Sequence, residues 1–147
     1  MNALSTNLRE SLLALDTNIF IYAFRPAANR EACRAVFEQI PKLRIFLPLR
    51  VLRELTNTLS NEEISDIFKA LHKAVEFRQE FAETPLERIQ FWESRGAKKG
   101  DAVICASLES ADVKVLVSEN RHFLLQISDL PFQVLGAQDV LDSLFSP

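Results

Sequence analysis

Cysteine is scarce in this chain: Cys33 and Cys105 are the only two and form no CxxC pair, which leaves neither a disulfide framework nor a thiolate metal site. A reduced, cytoplasmic setting follows as the expectation. His72 and His122 stand far apart with no HxH or HExxH pattern, which argues against a zinc centre. With only 3 glycines and 6 prolines the chain is not collagen-like, mucin-like or of low complexity. Nor is it basic. The 17 Lys and Arg are outnumbered by 20 Asp and Glu, a net charge of -3, so any contact with nucleic acid must come from a local patch rather than the whole-molecule field. No apolar run is long enough to span a bilayer, and the first eleven residues, with Arg9 and Glu10, do not resemble a signal peptide.

What is present is apolar material in short, patterned pieces. A chain of 147 residues with 48% hydrophobic content suits one domain over residues 1–147 with a substantial core. Leu12–Leu15 predicts a buried strand, and Ile19–Phe24 a short helix. Cys33, Val36, Phe37 and Ile40 recur at helical spacing and are closed by Pro41. Arg44–Leu47 predicts a second strand, and Pro48 opens a helix with Val51, Leu52, Leu55 and Leu59 on its inner stripe and Glu54 off it. A longer helix is predicted from about Glu62 to Phe81, capped by Ser60 or Asn61, with Ile64, Ile67, Phe68, Leu71, Val75 and Phe81 inward. Another starts at Thr84-Pro85, with Leu86, Ile89 and Trp92 inward and Gly96 as its stop. After Gly100-Asp101 the segment Ala102–Leu108 reads as a mostly buried helix. Val113–Val117 and Phe132–Leu135 read as strands, with a helical turn between them and a terminal helix after Gly136. Helices alternating with short strands imply an α/β fold, a three-layer α/β/α sandwich around a mainly parallel sheet. Ligand sites in such sheets lie beyond the carboxyl ends of the strands, where Asp16, Ser118 and Asn120 fall.

Each candidate acid has an ordinary account when taken alone. Asp16 suits the N-cap of the helix behind it, Glu54 a solvated position beside Arg50 and Arg53, and Asp101 the start of an apolar helix. Together they have more in common. Each lies at a strand end or near a helix start, in separate βα units that one sheet brings together.

These residues resemble a family. Leu13-Ala14-Leu15-Asp16-Thr17-Asn18-Ile19-Phe20-Ile21 looks like the opening motif of PIN domains, and Leu49–Leu55, around Glu54, like their second acidic motif. Lys98–Ala106, around Asp101, is similar to the third, and Val115–Phe123 to the fourth. The resemblance runs from about Leu13 to Leu135, with the motifs in the family's order. It implies a hydrolase, a Mg²⁺- or Mn²⁺-dependent endoribonuclease, commonly the toxin of a toxin–antitoxin pair, with RNA as substrate, an antitoxin protein as partner, and a homodimeric state. Carried over by position, Asp16, Glu54 and Asp101 are the metal-binding acids. The fourth family position, usually Asp after a Thr two residues earlier, is Asn120 here with Ser118 before it, and an Asn brings a carbonyl oxygen but no charge.

Three carboxylates in one cleft repel one another unless a cation shares the space, and with no Cys or His among them the donors suit Mg²⁺ or Mn²⁺. In this reading Asp16, Glu54, Asp101 and Asn120 form the catalytic group. Ser118 supports the substrate, and Arg25, Arg50, Lys99 and Arg121 form a basic rim for its phosphates, with Arg53, Lys98 and His122 also near the motifs. The alternatives are a catalytically weakened PIN-like module that binds RNA or protein, with Asn120 as its mark, and a phosphatase of the DxDxT type. The phosphatase fits poorly because position 18 is Asn.

Overall fold

The computed structural model describes residues 7–120 and 126–146. Five strands, β1 (Leu12–Leu15), β2 (Arg44–Leu47), β3 (Glu76–Gln79), β4 (Val115–Val117) and β5 (Gln133–Leu135), form one sheet in the order β3-β2-β1-β4-β5. Every neighbouring pair is parallel, with Leu13 facing Ile45 on one side and Val115 on the other. Parallel strands need crossovers, and seven α-helices among the described residues supply the layers of an α/β/α sandwich: α1 (Thr17–Phe24), α2 (Glu31–Glu38), α3 (Leu49–Thr58), α4 (Asn61–Leu71), α5 (Leu86–Ser94), α6 (Lys99–Ser110) and α7 (Ala137–Phe145). The three central strands are apolar because helices cover both their faces. Leu13, Leu15, Ile45, Leu47, Val115 and Val117 are all buried in a core that also takes Phe20 of α1, Leu55 of α3 and Leu108 of α6.

Local chemistry fixes where the helices begin. Asp16 caps α1 by accepting from the Thr17 amide at 2.8 Å. Ser60 and Glu63 form a reciprocal capping box on α4, and Gly96 takes the left-handed conformation (φ 101°) just past α5. The direction in which the connections wind reverses at the middle of the sheet, since β1 leads outward to β2 and β4 leads the other way to β5. The crevice between the carboxyl ends of β1 and β4 is therefore the switch point, and the Asp16 amide bonds to the Val117 carbonyl across it at 2.8 Å.

The helix expected over residues 62–81 is two elements. It stops at Leu71, and residues 76–79 form the edge strand β3 on β2, with the Val75 amide on Leu43 O and the Glu80 amide on Leu47 O. The helical spacing of Ile67, Leu71 and Val75 runs through the turn by coincidence. The sheet edge offers unpaired backbone groups to the following residues, and that ladder outweighs helix propensity. Val75 and Phe81 are accordingly exposed, at 55% and 82%. Leu86, expected inward on α5, is 64% exposed at the first position of the helix, whereas Trp92 is buried and Ile89 and Phe91 pack against the core.

Glu80, just past β3, ties two crossovers together. Its Oε1 accepts from the Leu49 amide at the start of α3 at 3.0 Å and from Ser107 Oγ on α6 at 2.8 Å. This carboxylate thus stands between the helix that carries Glu54 and the one that carries Asp101. The predicted turn after Asn120 falls on residues 121–125, outside those described. Among the described residues no helix is long and apolar enough to cross a membrane.

Candidate active site

Above the switch point lies a cleft of about 770 Å³ lined by Asp16, Glu54, Asp101 and Asn120, together with Thr17, Asn18, Arg50 and Lys98. Four different crossovers contribute. Asp16 follows β1, Glu54 sits in the second turn of α3, Asp101 in the first turn of α6, and Asn120 two residues beyond Ser118 at the end of β4. Asp101 does not cap its helix; Lys98 occupies that position, without a side-chain bond.

Ser118 organises the floor. Fully buried, it donates from Oγ to Asp16 Oδ2 at 2.8 Å and accepts from the Asn120 amide at 3.1 Å and from Asn18 Nδ2 at 3.4 Å. Asn18 also accepts the Glu119 amide at 3.2 Å, so α1 and the chain after β4 are stitched by side chains as well as by the sheet. Both Asp16 oxygens are spoken for, Oδ1 by the Thr17 amide and Oδ2 by Ser118. Removing the hydroxyl with Ser118→Ala leaves the Asp16 oxygen and the Asn120 amide without this partner. The expected loss is about 1–3 kcal/mol of folding stability, read from urea denaturation, whereas Ser118→Thr should keep most of the wild-type value.

Glu54 is held from two sides. Thr17 Oγ1 donates to Oε1 at 2.5 Å, and the Arg50 Nη2 stands 3.5 Å from Oε2. Burial pushes the Asp16 carboxyl above the usual 3.8 against the bonds from Ser118 and Thr17, and the Glu54 charge adds to the rise. Burial also raises Asp101, and the charges of Asp16 and Glu54 push it in the same direction, opposed by Lys98 and Arg50. The three acids therefore feel one another across the cleft. Among the described residues, however, no group of three or more His, Cys, Asp and Glu stands close enough to hold a metal ion unaided. Both cysteines are buried, and burial raises the Cys33 thiol to about 11 and Cys105 to about 12, which disfavours the reactive thiolate.

The basic residues divide. Arg50 and Lys98 line the cleft. Arg25 instead pairs with Glu63 at 3.0 Å and Arg53 with Glu83, and neither lines it. Lys99 is exposed on the first turn of α6 and is not among the lining residues, while Arg121 and His122 lie outside the described residues. Sequence reasoning passed over Thr17 and Asn18 as site residues. Their signal was position, since both directly follow the strand-end Asp16.

Comparison with known proteins bears on the family and the fold. The family model described as "PIN domain" matches residues 13–126. No curated protein matches the sequence. Among solved structures, PAE2754 from Pyrobaculum aerophilum is similar with a TM-score of 0.62 and 16% identity, covering 93% of this chain and 97% of that one. FitAcB from Neisseria gonorrhoeae is similar with a TM-score of 0.57 and 15% identity, over 86% of this chain and 98% of that one. VapBC2 from Rickettsia felis, bound to a DNA fragment of its promoter, gives 0.55 and 18%, over 85% and 98%. At these identities the likeness is one of fold.

Proposed function

This chain belongs to the PIN-domain family, and from that premise we propose that it is a divalent-cation-dependent endoribonuclease that hydrolyses RNA phosphodiester bonds in the cleft of Asp16, Glu54 and Asp101. The observation that carries the reading is the meeting of three acids, far apart in sequence, above the switch point of one parallel sheet. The donors suit Mg²⁺ or Mn²⁺, being hard oxygens only, and the mutual charge effects on Asp16 and Asp101 describe an anionic centre that a cation relieves. Because the described residues hold no three-ligand group unaided, the fit is to an ion that keeps several waters and takes an RNA phosphate as a further ligand. Asp16, Glu54 and Asp101 would hold it, with Asn120 adding a neutral oxygen. When bound, such an ion supplies Lewis acidity toward the phosphoryl oxygen and the attacking water.

The chain's own residues do the positioning. Ser118 and the Thr17 amide fix both oxygens of Asp16, and the Thr17 hydroxyl fixes one oxygen of Glu54. Lys98 at the cleft offers a cation to a phosphate of the RNA backbone. Of the proteins of similar fold, one from Klebsiella pneumoniae is described as a toxin–antitoxin complex and VapC20 from Mycobacterium tuberculosis as a sarcin–ricin loop cleaving toxin. By family likeness we assign this chain an antitoxin partner and a homodimeric state.

A second reading is favoured by specific features of the same cleft. Asn120 brings no charge, Glu54 is already engaged by Thr17 and Arg50, and the described acids form no metal cluster. On that account the protein is a PIN-fold module with a weakened centre that binds RNA or another protein, a role for which fold and cleft suffice. Incubating the purified chain with total RNA separates the two. The nuclease reading expects cleavage with Mg²⁺ or Mn²⁺ and none with EDTA. RNA that is retained on the protein yet intact under every metal condition establishes the binding module.

A further inference from the structure

The acid cleft contains a cation of its own. Arg50, in the first turn of α3, lies one turn before Glu54 with its Nη2 3.5 Å from Glu54 Oε2. Its guanidinium lies against Gly100 in the first turn of α6, so closely that a Cβ at position 100 would stand 2.7 Å from Nη2 and 3.1 Å from Cζ. Gly100 is followed directly by Asp101, and Arg50, Gly100, Asp101, Asp16 and Glu54 all line the same cleft. A bare glycine backbone is what lets the guanidinium lie there. A simple surface pair between Arg50 and Glu54 would not need that gap in the opposite helix.

We infer that Arg50 is the resident counter-ion of this cleft: it competes with the divalent cation in the RNA-free protein and turns to the RNA phosphate on binding, so that metal and RNA bind cooperatively. The inference rests on the nuclease reading, since it takes the cleft to receive both. A guanidinium is suited to the exchange because its contact with Glu54 is through one nitrogen at 3.5 Å, whereas its planar fork pairs with a phosphate through two. Thr17 Oγ1 keeps its 2.5 Å bond to Glu54 Oε1 whichever partner Arg50 takes, so the carboxylate stays aimed when the guanidinium leaves. Linkage makes the coupling reciprocal: RNA that draws Arg50 away raises metal affinity, and metal that displaces Arg50 frees it for RNA.

The test is calorimetric titration of the full chain with Mn²⁺, with and without a nuclease-resistant 2′-O-methyl RNA oligonucleotide. Without RNA, Arg50→Gln should bind Mn²⁺ about tenfold more tightly than wild type, tenfold being about 1.4 kcal/mol. It should also bind the oligonucleotide more weakly, and lose most of the wild-type gain in Mn²⁺ affinity on adding RNA. Gly100→Ala supplies an independent variant, for its methyl forces the guanidinium to shift from its place while leaving the positive charge at position 50. It should tighten Mn²⁺ binding and retain RNA binding. Folded variants with unchanged or weaker Mn²⁺ affinity overturn the counter-ion role and leave the nuclease reading standing. Absence of Mn²⁺ binding in wild type and both variants, even with the oligonucleotide, overturns both.

Discussion

Asp101→Asn is expected to lower RNA cleavage by about 10²–10³-fold, the scale on which removing one charge-stabilising group acts, while raising the melting temperature of the metal-free protein. The opposite signs come from one cause. Asp101 loses solvation in the cleft and faces the charges of Asp16 and Glu54, so its carboxyl is raised above the ordinary 3.8. A group whose folded value is raised holds its proton in the native state at a pH where the unfolded chain has released it. The contribution of Asp101 to stability therefore falls as pH climbs from the unfolded value of 3.8 through the raised folded value, and stays at the lower level above it. The amide keeps the shape and cannot ionise, so the advantage of Asp101→Asn should vanish in acid and grow as pH rises toward neutrality. Added Mn²⁺ should shrink or reverse it, because the cation stabilises only the ionised wild type. Thermal melts across pH, with and without Mn²⁺, beside a cleavage assay, give the check. An Asn variant that cleaves RNA at the wild-type rate removes Asp101 from the centre, and one that melts below wild type at neutral pH removes the repulsion.

The same contrast between local and distant causes explains what could be read from the sequence. β1, β2 and β4 were legible because central strands of a parallel sheet are apolar on both faces, as Leu13-Ala14-Leu15 and Val115-Leu116-Val117 are. Asp16 was legible as a strand-end residue for the same reason. β3 was not. Its residues Glu76-Phe77-Arg78-Gln79 are half exposed at a sheet edge, and they continue a helical spacing set by α4, so no local pattern marks the change. Arg50 was legible as a base near a motif, but its place among the acids depends on the missing side chain of Gly100, fifty positions away in sequence. Arg25 and Lys99 show the converse. Each is near a motif along the chain, yet neither lines the cleft, because one turn of helix is enough to point a side chain elsewhere.

Phe20→Ala is the substitution expected to cost the most stability, about 3–5 kcal/mol. The ring is fully buried and meets Phe37 of α2 edge to face, with centroids 6.3 Å apart and planes at 79°, while Phe24 meets the same ring at 5.3 Å. Truncation opens a cavity at the joint between α1 and α2, and a close-packed interior refills such space only in part. The amount is at least about a fifth of the roughly 5–15 kcal/mol that holds a typical domain folded, and most of it for a domain at the low end of that range. It should appear in urea as a lower midpoint with an unchanged slope. Phe20→Leu, which keeps most of the volume, should cost less than about 1.5 kcal/mol, and Phe81→Ala, at a ring 82% exposed, should stay within about 0.5 kcal/mol of wild type. The site depends on this joint through the start of the same helix. Thr17 reaches Glu54 and Asn18 reaches Ser118 from the first turn of α1, so a helix no longer pinned by Phe20 releases two of the bonds that aim the acids. Phe20→Leu should accordingly preserve cleavage where Phe20→Ala, assayed at a temperature where it is still folded, loses it. A Phe20→Ala protein with the wild-type urea midpoint would mean that α1 is not docked through this ring.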